Sequence, residues 1–119
     1  MPTSDLAYSC GDIVVVPFPF SDRLAEKRRP ALVVSGADVA AEGLFWVVMI
    51  TTSPQRGGGF SIPVDVTDLS GLHVPSFVRP TKITSIEARR ILRSVGSMEA
   101  DKLADVLSCV RAFIGPGKS

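Results

Sequence analysis

The chain has 119 residues and a mass of 12.7 kDa, with 45% hydrophobic and 21% charged residues and a formal net charge of +1. That length supports one domain and leaves no room for two, and the balance is that of a folded globule rather than a disordered chain. The longest unbroken apolar run, 44–50, is seven residues, against about 20 for a membrane-spanning helix.

The first residues lack the basic-then-apolar pattern of a secretory signal. Cys10 and Cys109 have no further cysteine and no nearby histidine at ligand spacing, which disfavours zinc and disulfide scaffolds. The expectation is a soluble, cytoplasmic domain over 10–115, with tails at 1–9 and 116–119, no metal and no cofactor. The near-neutral charge conceals a local imbalance. Residues 36–75 carry one base and four acids, whereas 76–93 carry five bases (Arg79, Lys82, Arg89, Arg90 and Arg93) and one acid. Lys27, Arg28 and Arg29 form a second basic cluster, and two such segments can hold a phosphate chain at one face.

In chain order, residues 12–17, 31–35 and 45–51 are short runs rich in β-branched residues, each read as a strand. Residues 60–66 alternate Phe60, Ile62, Val64 and Val66, the period of a half-buried strand. Pro63 lacks an N–H and so places that strand at an edge. Residues 76–79 and 91–95 are weaker strands, and 85–90 reads as one helical turn. Leu103, Val106, Leu107, Val110, Phe113 and Ile114 recur at helical spacing, with Ser97 as the expected cap and Gly115-Pro116 as the stop. Turn-rich gaps between the strands point to a small antiparallel barrel or sandwich with a C-terminal helix, not a βαβ fold.

Two gaps are long and polar: 18–29, a loop of functional length, and 52–59. The triple glycine at 57–59 lacks the lysine and hydroxyl ending of a phosphate-binding loop, and strand rather than helix follows it. His73 is the sole histidine, so chemistry that needs two imidazoles is beyond one chain. There is no paired-carboxylate pattern and no Gly-x-Ser-x-Gly elbow. What remains is arginine beside hydroxyls at strand ends: Arg28 and Arg29 before the second strand, Thr51 and Thr52 after the third, and Arg79. Guanidinium forks hold phosphate and neutralise charge that develops on it.

Gly11-Asp12 with strand 13–16 and then Pro17-Phe18-Pro19-Phe20, followed by Arg29-Pro30 with strand 31–35, closely resembles the opening of the MazF/PemK family of toxins, in its PemK-like branch. Residues 50–53, Gly71-Leu72, 75–79, 82–84, and Gly96 before an amphipathic helix follow in the family's order, so the likeness spans about 10–114. The resemblance implies an SH3-like β-barrel with a C-terminal helix and a homodimer. It also implies the toxin of a type II toxin–antitoxin pair, a metal-independent endoribonuclease (an mRNA interferase) inhibited by a cognate antitoxin protein. Arg29 and Thr51 take the places of its catalytic candidates, and Arg79 lies in the implied groove. At position 81, where many relatives carry an acid, this chain has Thr81, and the general base is left open among Asp22, Glu26 and His73.

The expected chemistry is attack of an RNA 2′-OH on its own phosphorus, a route closed to DNA. Arg29, Thr51 and Arg79 are the catalytic candidates. Phe18, Arg28, Thr52, Ser53, Gln55, Arg56 and Lys82 are the candidates for binding single-stranded RNA, with Phe18 or Phe20 stacking on bases. Two rival readings share the fold: a toxin that poisons gyrase by binding it, and a catalytically inert binding module.

Overall fold

A computed structural model describes residues 8–18, 27–52 and 60–117, with backbone alone at Phe18 and Lys27. Six strands form one sheet: β1 (Asp12–Phe18), β2 (Lys27–Val33), β3 (Leu44–Thr51), β4 (Ile62–Val64), β5 (Ser76–Glu87) and β6 (Arg93–Ser97). Their order is β4-β5-β3-β2-β1-β6, and every neighbouring pair is antiparallel. A one-turn helix α1 (Ala37–Ala40) joins β2 to β3, and helix α2 (Ala100–Phe113) closes the chain. The sheet curls into a half-barrel backed by α2, the expected mainly-β architecture.

The central strands are apolar on both faces, and for that reason their sequences read as unbroken runs. One face carries Val14, Val16, Ala31, Val33, Phe45, Val47 and Met49, closed over by Ile86, Ile91 and Ala40. The other carries Ile13, Leu32, Val48, Ile50 and Val78, onto which α2 lowers Val106 and Val110. The helical stripe is therefore real, although its last members, Phe113 and Ile114, stay exposed. Phe113 instead meets Phe60, ring centroids 5.0 Å apart. Pro63 does lie on an edge strand, but β4 spans only three residues, and Phe60 and Val66 fall outside it, exposed.

Four boundaries differ from the sequence reading. β2 begins at Lys27, because β1 runs on to Phe18 and pairs Phe18 with Lys27, Pro17 with Arg28 and Val16 with Arg29; all three basic residues read as the end of the loop are thus ladder residues. β5 is one 12-residue strand rather than a short strand and a helical turn, and only Ala88–Arg90 forms a 3₁₀ turn. Its continuity rests on a bulge: Met49 faces Arg79 whereas Val48 faces Ile83, so residues 80–82 are extra length on β5 between two adjacent positions of β3. Pro80, fully buried there, has no N–H to give a ladder, and a bulge is where a strand tolerates it. Ser97 does not cap α2. It pairs with Asp12 and its N–H donates to the Leu69 carbonyl, so the helix starts later, after Glu99. Lys102 Nζ then reaches the Pro63 carbonyl at 3.2 Å, tying the helix to the edge strand.

Candidate functional site

Strand alternation and register decide which candidates share a face. Residues directly opposite on neighbouring strands point the same way. One row across the sheet runs Val14, Ala31, Met49, Arg79. In the next row Val16 faces Arg29 and Thr51 faces Phe77, which in turn faces Pro63 on β4. The β2–β3 register of Ala31 with Met49, carried two positions on, sets Arg29 beside Thr51. Arg29, Thr51 and Arg79 therefore converge at one end of one face, where the apolar floor gives way to polar groups. Thr51 sits between the arginines, with Arg29 across one strand gap and Arg79 on the diagonal of the other, a distance that long side chains bridge.

Arg29, Thr51 and Arg79 are all half-buried. The Nε atoms of both arginines are buried, and that of Arg79 meets no acceptor among the described residues. Nor is any carboxylate there within ion-pair distance of Arg79. Sinking the stem of a guanidinium without a counter-charge costs free energy; an incoming anion with several oxygens would offset it through a charge-assisted fork.

The remaining candidates are placed differently. Arg28 is exposed, and alternation sends it to the opposite face from Arg29. Thr52 is exposed one residue beyond β3. Lys82 is exposed within the β5 bulge, three residues from Arg79. The backbone of Phe18 continues β1 opposite Lys27. Ser53, Gln55, Arg56 and Phe20 lie outside the described residues, as do Asp22 and Glu26. His73 is exposed and lines a separate surface groove with Val66, Thr67, Asp68, Gly71 and Leu72. Burial pushes the Cys10 thiol up, against the pull of Arg111, which keeps it protonated at neutral pH and a poor nucleophile.

Sequence reading passed over one residue of this face, Phe77. Its signal was the two-residue spacing to Arg79, which means one face only once both are known to share a strand.

A six-stranded antiparallel half-barrel with a cationic end to one face and a helix behind the other defines a small mainly-β barrel with a candidate phosphate site. The sequence matches the model of the PemK-like, MazF-like toxins of type II toxin–antitoxin systems over residues 9–114, and the chain belongs to that family. Solved structures agree. MazF from Deinococcus radiodurans is 25% identical, with a TM-score of 0.70 over 91% of this chain and 96% of that one. Toxin MazF-mt6 of Mycobacterium tuberculosis is 25% identical, with a TM-score of 0.64 over 83% and 90%. A MazE–MazF complex from D. radiodurans shares the fold, at 23% identity and a TM-score of 0.66 over 92% and 97%. A search of curated proteins finds no match.

Proposed function

We propose that this MazF-type toxin is an endoribonuclease that cleaves single-stranded mRNA by attack of the 2′-OH on the adjacent phosphorus. The observation that supports it is the meeting of Arg29, Thr51 and Arg79 on one face, a hydroxyl between two half-buried guanidinium groups. In this reaction the 2′-oxygen forms a bond to phosphorus and the P–O5′ bond breaks. The products are a 2′,3′-cyclic phosphate and a 5′-hydroxyl. The nucleophile belongs to the substrate, so the protein's task is to hold the backbone in line and stabilise charge on the phosphorane. Arg29 takes the non-bridging oxygens as a fork, Thr51 donates one hydrogen bond to them, and Arg79 neutralises the same phosphate from the other side. Arginine does not lose its proton near neutral pH, so it does not serve as the base. The proton of the 2′-OH leaves to another group, and O5′ gains one on departure.

Incubating the purified protein with a long RNA in the presence of EDTA tests this reading, and RNA left intact overturns it. Thr51→Ala slows cleavage by about 10- to 150-fold, in line with the roughly 1.5–3 kcal/mol of a hydrogen bond to a charged group. A single-turnover rate equal to the unaltered protein's removes Thr51 from the site.

The same reading gives the toxin a cognate antitoxin, by analogy with the MazE–MazF pair of D. radiodurans, and a cytoplasmic place of work beside mRNA. No helix among the described residues is long and apolar enough to cross a membrane. It also gives a homodimer, since a barrel this small makes a shallow groove alone and two-fold pairing deepens it. Sedimentation at micromolar concentration yields about twice the 12.7 kDa chain mass; a species of one chain only rules the dimer out.

A further inference from the structure

Phe77 is half-buried yet joins neither of the two apolar clusters that fill the sheet. Its neighbour Val78 belongs to the cluster under α2, so Phe77 points to the face of Arg79. Thr51 lies opposite it on β3 and the exposed Pro63 on β4. A track therefore crosses the sheet at right angles to the strands: Arg29, Thr51, Phe77, Pro63. Strands are spaced about 4.8 Å apart, so the ring stands one spacing from the hydroxyl and two from the strand of Arg29. A nucleotide next to a phosphate held at Thr51 covers that span.

We propose that Phe77 is the stacking platform for the base beside the scissile phosphate, and thereby a determinant of which RNA sites are cut. The inference rests on the endoribonuclease reading above and adds a residue to it. Proteins that read single-stranded RNA unstack its bases and lay them on aromatic rings. A phenyl ring next to a phosphate clamp fixes the base while the clamp fixes the backbone, and a half-buried ring carried on a strand paired on both sides costs little ordering entropy when it does so. Pro63 extends the apolar surface to the sheet edge, where the strand of RNA leaves.

The test is a cycle between protein and substrate. Phe77→Leu keeps an apolar side chain and removes the π-face. An RNA oligonucleotide with one abasic position next to its cleavage site removes the base. Each change alone weakens binding and raises KM about 5- to 150-fold, the range of base–aromatic stacking, with kcat at saturating RNA within about 3-fold. Together they cost no more than either one, because both delete the same contact. Phe77→Trp restores tight binding, and the sites cut by Phe77→Leu along a long RNA are less selective than those of the unaltered protein. Should Phe77→Leu fold poorly, Phe77→Met enters the same cycle. If the unaltered toxin cuts RNA but the two penalties multiply, or no abasic position beside the cleavage site weakens binding, Phe77 is not the platform and the endoribonuclease reading stands. If the unaltered toxin neither binds nor cuts RNA, both fall.

Discussion

Arg29→Ala lowers RNA cleavage by about 100- to 1000-fold, the loss typical of removing one preorganised donor to developing charge, and leaves the fold standing. The fold survives because the β1–β2 ladder opposite Val16 is made by backbone groups, which an alanine keeps. The loss is large because the Nε of the half-buried Arg29 is sunk in the sheet, which limits the reorganisation its charge needs in the transition state. The measurement is a single-turnover rate on a defined oligonucleotide, with a melting curve as the control for folding. A rate within a few-fold of the unaltered protein at equal melting temperature removes Arg29 from the mechanism. If the cognate antitoxin lays an acidic, partly apolar segment on this face in competition with RNA, the same substitution weakens its binding. An antitoxin that binds Arg29→Ala and Arg79→Ala with unchanged affinity covers some other surface.

Gly71→Ala destabilises the protein by about 3 kcal/mol or more, combining a strained backbone with overpacking. Gly71 sits at φ +70°, and a β-carbon there collides with the backbone carbonyl of Val95. That carbonyl belongs to the bulge at which β6 shifts its register against β1, and it is backbone, which yields less readily than the end of a flexible side chain. Gly96 answers from the other side, where a β-carbon strikes the carbonyls of Leu69 and Ser70. Between them the Ser97 N–H donates to the Leu69 carbonyl at 2.8 Å. The Ser70 hydroxyl, buried, accepts from the backbone of Leu72 at 3.2 Å and donates to the Asp65 carbonyl at 3.1 Å. Segment 65–72 thus meets β6 backbone to backbone, with no space for a side chain at Gly71 or Gly96. A drop in melting temperature of roughly 10 °C or more is expected. Gly36→Ala is the control: nothing lies within 4 Å of the added carbon and φ is −104°, so its melting point moves little. Equal melting of Gly71→Ala and the unaltered protein means that the two segments do not pack this closely.

Much of this molecule is written in local patterns. Residues 12–17, 31–35 and 45–51 announce strands because most of their side chains on both faces are buried, and such burial favours runs of apolar, β-branched residues. The C-terminal helix is legible because Val106 and Val110 must return to the same side of a 3.6-residue period to meet the sheet. Pro63 marks an edge strand because an inner one needs its N–H. The order of motifs, from Gly11-Asp12 through Arg29-Pro30 to Gly96, is enough to place the chain in its family.

Pairing decided the rest. Lys27, Arg28 and Arg29 look like loop, because nothing local to three basic residues says that β1 runs far enough to pair with them. Pro80 looks like the end of a strand until Met49 and Val48 define a bulge around it. Ser97 looks like a helix cap, but its backbone is already engaged with Asp12 and Leu69. The candidate site depends on register most of all. Arg29, Thr51, Phe77 and Arg79 are up to 50 positions apart in the chain, and a slip of one residue in any ladder would turn one of them to the other face. The sequence determined by itself which groups are capable of holding a phosphate. Only the tertiary structure decided which of them meet, because a strand's sequence fixes the alternation of its side chains and the neighbouring strands fix which alternate set faces which.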